Sequence, residues 1–163
     1  MRLNGGEDIV NTETTAATVM SELSLGDVFS FDDLVGAVQR RRQRPIRIVE
    51  LADLNERDGI CALWLVAETE DLVLHARSDS TLHRQQFVLH ELAHMILGHG
   101  DDERLDTPDI LLPDIPRTTR RRLLSRKDLD TVDEIAAEYL ADHLAAAIRR
   151  SALHQSRFLE VFG

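Results

Sequence analysis

The chain is poor in the features that mark secreted or membrane proteins. It contains one cysteine, Cys61, among 163 residues, so no disulfide can form within it. Its apolar runs stay well below the roughly 18 residues that a membrane-spanning helix needs, and its N-terminus lacks the charged-then-apolar order of a signal peptide. We therefore expect one compact cytoplasmic protein without membrane association.

The sequence also has fewer basic than acidic residues. The sequence has 19 basic and 29 acidic residues and a net charge of -10. Because such a field repels phosphate backbones, the charge balance argues against direct nucleic-acid binding. Five arginines do cluster locally: Arg40, Arg41, Arg42, Arg44 and Arg47. An acidic partner protein or the chain's own acidic segments would explain this cluster equally well, and the sequence does not indicate an oligomeric state.

The most specific pattern is an H-E-x-x-H motif formed by His90, Glu91 and His94 in the helix-patterned stretch 82–97. Residues four apart lie on one face of a helix, so both imidazoles can bind one metal ion. Glu91 is rotated by about 100° and suits a general base that reaches a bound water. The alternative is an amphipathic helix with two exposed histidines. Apolar residues around the motif favour the metal site, because buried imidazoles need partners.

A catalytic zinc site needs a third protein ligand and an open position. The metzincin pattern is excluded because Leu97 and Gly100 occupy its glycine and histidine positions. His99 follows Gly98, a predicted helix C-cap, and is interpreted as a helix-terminal cation that points away. A carboxylate on a second helix remains, and Glu134 is the favoured ligand. Glu138, one turn later, would then accept a hydrogen bond from a liganding imidazole, although the two roles could be exchanged.

This second helix is predicted over 130–150, and it has two distinctive faces. His143 falls in its apolar stripe and is interpreted as a core or outer-shell histidine. Small residues flank the two glutamates and would allow close approach of another helix. The predicted core stripe comprises Val132, Ile135, Ala136, Tyr139, Leu140, Leu144, Ala147 and Ile148, and the small residues are Ala137, Ala141 and Ala145.

Around these helices the pattern predicts a small sheet. Residues 1–26 read as a flexible N-terminal tail, and a capping-box start at Ser30 opens a short helix that Pro45 ends. Strands are predicted at 45–51, 60–67 and 72–76, as a hairpin plus one strand. The last strand is the candidate edge for a peptide substrate, where His75 is a possible substrate or oxyanion contact or a plain exposed histidine. A long loop over 100–130 with a short helix near 118–124 and a C-terminal tail over 151–163 complete the prediction.

Two segments together resemble the ImmA/IrrE family of small bacterial metallopeptidases. The hallmarks of that family are a phenylalanine shortly before H-E-x-x-H and a later helix of the form E-x-x-A-N-x-F-A. The stretch from Phe87 to His99 fits the first closely. The second is matched from Glu134 to Ala141, with Glu138 where asparagine is usual and Leu140 where phenylalanine is usual. The likeness covers about residues 28 to 150.

This resemblance implies a minimal zincin-like fold of the α+β class, in which a small three-stranded, mostly antiparallel sheet packs on an active-site helix and a second ligand-bearing helix. Residues 27–150 would form the metallopeptidase-like domain. His90, His94 and Glu134 would bind Zn²⁺, with Glu91 as the catalytic base. The implied function is cleavage of a partner helix-turn-helix repressor in a phage, mobile-element or stress-response system. The alternative is a catalytically weak, metal-binding regulatory protein that acts by binding a transcription factor, and Glu138 is its main support.

Overall fold

A computed structural model describes residues 5–51, 62–67, 69–99 and 131–162, with the backbone alone for residues 5–10 and 131. The chain is an α+β protein, as predicted. Its described elements, in chain order, are α1 (Gly5–Glu22), α2 (Phe31–Arg42), β1 (Ile46–Leu51), β2 (Ala62–Val66), β3 (Asp71–Ala76), α3 (Thr81–Ile96) and α4 (Thr131–Phe162). Among these residues no helix is both long enough and apolar enough to cross a membrane.

The three strands form one mixed sheet in the order β1-β3-β2. The predicted hairpin is confirmed, because β2 and β3 pair antiparallel with Leu63 opposite Leu74. β1 pairs parallel with β3 and places Ile48 opposite Val73. The expectation of a mostly antiparallel sheet is therefore wrong, since the sheet has one pairing of each kind. Apolar alternation marks a strand but does not encode the direction of its neighbour.

β3 is the central strand, so its predicted role as a substrate-binding edge is also wrong. All six of its residues are buried, including Asp71 and His75. A strand covered on both faces has a continuous apolar run rather than strict alternation, and Leu72 to Leu74 form such a run. The outer strands of the described sheet are β1 and β2.

The helices pack with one face of the sheet into the main core. Val73 from the sheet, Leu89 and Leu92 from α3, and Leu140 and Leu144 from α4 are almost completely buried in one cluster. The predicted small face of α4 is confirmed by Ala137, Ala141 and Ala145, which are buried in that cluster. The predicted apolar stripe is only partly right, because Val132, Ile135 and His143 are exposed.

Both predicted tails differ from the structure. Gly5–Glu22 is helical, and Ala16, Val19 and Leu23 are buried in the main core. Ala16 and Val19 of α1, together with Leu23 just after its end, therefore attach this segment to the core, although its composition is polar. At the other end α4 continues through Phe162, although its side chains beyond Ser151 are exposed. Cys61, the loop 100–130 and its predicted helix near 118–124 lie outside the described residues.

The arginine cluster pairs mainly with acidic groups of the same chain. Arg41 lies 2.7 Å from a Glu22 oxygen. Arg42 forms an ion pair with the fully buried Asp71 and stacks 4.7 Å from the centre of the Trp64 ring. Of the two explanations left open for this cluster, these contacts favour neutralisation by the chain's own acids.

Candidate metal centre

The two histidines of the motif face each other on α3. Ser80 caps the start of this helix by accepting a hydrogen bond from the His83 amide, and the helix then runs to Ile96. His90 and His94 are therefore one turn apart, and their Nε2 atoms lie 3.1 Å from each other. The ring planes are nearly perpendicular, at 80°. Each imidazole thus presents the same nitrogen to one common point.

Glu134 reaches that point from the first turn of α4. Its Oε2 lies 3.0 Å from His90 Nε2, and its Oε1 lies 3.4 Å from His94 Nε2. Glu134 is 40 residues beyond His94 in the sequence, and the buried alanines of α4 described above allow the two helices to approach closely. His90, His94 and Glu134 form a group whose possible ligand atoms all lie within 4.8 Å of one another.

The spacing of these atoms suits a tetrahedral cation. Ligand bonds of about 2.0–2.1 Å, as for Zn²⁺, place neighbouring ligand atoms roughly 3.3 Å apart. The three separations here are 3.0, 3.1 and 3.4 Å. Two imidazole nitrogens and one carboxylate are also the donor set that a catalytic zinc site uses. Three acceptors held this close repel one another unless a cation or shared protons lie between them, so the residues fit a metal ion.

The site is enclosed on one side and open on the other. His94 is only 3% exposed, whereas the side chains of His90 and Glu134 are 28% and 39% exposed. A cation held there would be screened from solvent on the side of His94 and accessible to solvent on the side of His90 and Glu134.

Glu91 is placed differently from the three ligand candidates. Its side chain is 4% exposed, although glutamate is seldom buried without a specific reason. Among the described residues the ligand group contains His90, His94 and Glu134 and does not include Glu91. The structure thus separates Glu91 from the three ligand candidates.

Two further predicted residues are not part of the described ligand group. Glu138 is exposed, and within the described part of the chain no hydrogen bond joins it to His90 or His94. It lies one turn, about 5.4 Å, further along α4 than Glu134. His75 is buried on the same sheet face as Val73, and its Nδ1 donates to the Ala76 carbonyl oxygen at 3.0 Å. The structure thus selects Glu134 over Glu138 as the carboxylate beside the imidazoles.

His99 was misread from the sequence. It was expected to point away, but its Nδ1 lies 2.9 Å from Nδ1 of His94. The cause is a Schellman ending of α3, in which Gly98 has φ 75°, its amide donates to Met95 O, and the His99 amide donates to His94 O at 2.9 Å. This ending turns the chain back over the last helical turn. Gly98 was recognised as a cap, and the cap itself was the signal that His99 returns toward His94.

Comparison with known proteins adds no further constraint on the site. No family model matches the chain, and neither a curated protein nor a solved structure gives a match.

Proposed function

We propose that this chain is a zinc-dependent endopeptidase. The observation that carries the proposal is the convergence of His90 and His94 on α3 with Glu134 on α4, at separations of 3.0 to 3.4 Å between their polar atoms. The partial exposure of two of these side chains supports a catalytic rather than a closed structural site. The zincin-like character of the fold belongs to the same proposal.

The ligand candidates and Glu91 have different tasks in the proposed reaction. His90, His94 and Glu134 would hold the ion. When bound, Zn²⁺ supplies Lewis-acid activation of water and of the scissile carbonyl group. Glu91 accepts the proton of the attacking water and then delivers it to the leaving amine.

Substrate binding by strand addition would use an outer strand. β3 is paired on both sides, so it has no free backbone groups for a peptide. β2 and β1 each have a single partner among the described strands, and β2 is the one that pairs antiparallel with β3. An extended peptide that adds to an outer strand would be held by main-chain hydrogen bonds.

The proposed substrate is a helix-turn-helix repressor of a phage, mobile-element or stress-response system, met in the cytoplasm. This part rests on the resemblance of the two motif segments to the ImmA/IrrE family. The net charge of -10 is consistent with a protein that acts on the regulator rather than on its DNA.

The first prediction separates metal binding from hydrolysis. Glu134→Ala should lose the zinc that the purified wild-type chain retains after dialysis, because one of three ligands is gone. Glu91→Gln should retain zinc and lose cleavage of a helix-turn-helix repressor that the wild-type chain cleaves, because the base is missing. Zinc is measured by atomic absorption and cleavage by gel electrophoresis, and Glu138→Ala serves as the positional comparison one turn away.

Three outcomes would contradict the proposal in different ways. Retention of zinc by Glu134→Ala together with its loss from Glu138→Ala would move the third ligand one turn along α4. Undiminished cleavage by Glu91→Gln would remove the assigned base. A wild-type chain that binds no zinc would remove the metal site altogether.

A metal-binding regulatory protein that captures a transcription factor without cutting it is the second candidate. It is favoured by one observation, the exposed Glu138 at a position where the resembled family usually has asparagine. If this second candidate is right, regulation of the transcription factor in cells survives Glu91→Gln but is lost in Glu134→Ala.

A further inference from the structure

His99 and Asp133 continue the line of polar contacts that begins at His94. His94 directs Nε2 toward His90 and Glu134, and it directs Nδ1 toward His99 Nδ1 at 2.9 Å. On its far side, His99 Nε2 lies 3.3 Å from Asp133 Oδ1. The contacts therefore run from the point shared by the three ligand candidates through His94 and His99 to Asp133.

When His94 binds a cation through Nε2, the hydrogen atoms of His94 and His99 can be placed in only one way. A liganding Nε2 carries no hydrogen, so the neutral His94 ring carries its hydrogen on Nδ1. That N–H must donate to His99 Nδ1, which therefore has no hydrogen of its own. The hydrogen of the neutral His99 ring is then on Nε2, and it points at the carboxylate of Asp133. Each ring nitrogen of His94 and His99 is thus assigned as a metal ligand, a hydrogen-bond donor or a hydrogen-bond acceptor.

The geometry is held by backbone as well as by side chains. The Schellman ending fixes His99 relative to His94 through the amide bond to His94 O at 2.9 Å. Such endings usually pair apolar side chains at the two positions that His94 and His99 occupy. Here the pair consists of two imidazoles with centroids 5.2 Å apart, and their side chains are 3% and 14% exposed. A polar pair in a place where an apolar pair would suffice for stability points to a chemical role.

We propose that His99 and Asp133 are positioning residues that hold His94 in the tautomer and orientation required of a metal ligand. This inference rests on the proposed metal site and goes beyond it, since neither residue belongs to the ligand group. Outer partners of this kind typically change metal affinity by about 10- to 100-fold when they are removed. Asp133 also lies next to Glu134, so a single turn of α4 would supply both a ligand and the end of the chain of contacts.

The test measures zinc affinity by competition with a chromogenic chelator. His99→Phe removes the acceptor and should weaken zinc binding by about 10- to 100-fold. His99→Asn should restore much of that loss, because its side-chain oxygen can accept the His94 Nδ1 hydrogen. His83→Phe is the matched control, since His83 is an exposed histidine in the first turn of α3 and should leave the affinity unchanged. Circular dichroism checks that each variant is folded.

A second variant and a second readout keep the inference testable if His99→Phe does not fold. Asp133→Ala changes a half-exposed residue and should weaken zinc binding less than loss of the His99 acceptor does. In the zinc-loaded, ¹⁵N-labelled wild-type chain, long-range ¹H–¹⁵N spectra should show the His94 hydrogen on Nδ1 in slow exchange with water. In Asp133→Ala that exchange should become faster.

The outcomes distinguish this inference from the proposed function. Equal zinc affinity in the wild-type and His99→Phe chains, or equal loss in His99→Phe and His99→Asn, overturns the positioning role and leaves the metal site intact. A zinc-loaded wild-type chain that cleaves no substrate overturns the peptidase and leaves the positioning role intact. Absence of zinc binding by the wild-type chain overturns both.

Discussion

At the residue scale, the buried hydroxyl of Ser151 joins two segments that are distant in sequence. Its Oγ accepts a hydrogen bond from the Phe29 amide at 3.0 Å and donates one to Ala147 O at 2.9 Å. The side chain is 4% exposed, so water does not replace a lost partner easily. This one residue attaches the segment just before α2 to the second half of α4.

Ser151→Ala should therefore lower the free energy of unfolding by about 1–2 kcal/mol, because the Phe29 amide is left buried without an acceptor. Ser156→Ala is the matched control on the exposed part of the same helix and should change it by less than about 0.5 kcal/mol. Both changes alter helix propensity equally, so urea unfolding of the two variants isolates the buried hydrogen bond. Equal stability of the two variants would contradict the assigned role.

Some residues of the candidate site could be recognised from the sequence and others could not. His90, Glu91 and His94 were recognisable because their spacing has a direct geometric meaning on a helix. His99 was missed because its ring position depends on the positive φ of Gly98. The burial of His75 was not predicted, because the pattern of its strand does not say that both faces are covered.

At the scale of elements, the start of α2 has a complete capping box. The Ser30 amide donates to Asp33 Oδ2 at 2.9 Å, and the Asp33 amide donates to Ser30 Oγ at 3.1 Å. The hydrogen bond from the Ser30 backbone, helped by its side chain, lowers the pKa of Asp33 below its ordinary value of 3.8. The charged form of this carboxylate therefore favours the folded state.

The sign of the pH dependence follows from this shift. Because the folded pKa lies below the unfolded one, the contribution of Asp33 is complete above pH 3.8 and is lost as the pH falls through the folded pKa. The stability gap between the wild-type chain and Asp33→Asn should shrink as the pH is lowered from 6 to 3. Urea midpoints across this range measure the gap, and Asp32→Asn controls for loss of one charge in the same turn. A gap that stays constant with pH would contradict the prediction.

Pairing between elements was harder to predict than the elements themselves. The strand at 46–51 was placed correctly, but its parallel pairing with β3 was not, because direction depends on the connection from β1 to β2 rather than on the apolar pattern. α1 was missed because a polar sequence with a few correctly spaced apolar residues resembles a tail until a partner surface exists.

At the scale of the whole molecule, α4 connects the candidate site to the rest of the core. Its 32 residues span roughly 48 Å, with Glu134 near the start and Ser151 beyond the middle. The candidate ligands come from two helices that only the folded state brings together. Metal binding and folding should therefore be coupled.

Zinc should accordingly raise the thermal stability of the whole chain. At a free zinc concentration about 100 times the Kd the expected gain is about 2.7 kcal/mol, provided that the unfolded chain does not bind the ion. For a protein of this size that gain corresponds to a rise in Tm of roughly 5–10 °C. Differential scanning calorimetry with and without zinc measures it, and Mg²⁺, which prefers oxygen ligands, is the control ion. A shift of the same size in Glu134→Ala would show that the ion acts elsewhere.

The amino-acid sequence by itself determined the local features of this protein: the α3 helix with its paired imidazoles, the capping box of α2, the β2–β3 hairpin and the helix α4 with its acidic first turn. These follow from spacing and propensity, which act over a few residues. The tertiary structure alone decided that Glu134 rather than Glu138 meets the imidazoles, that β3 lies in the centre of the sheet, and that His99 and Asp133 stand behind His94. The physical reason is that these relations depend on how whole elements pack against one another, and packing is settled by the summed burial of residues far apart in the chain.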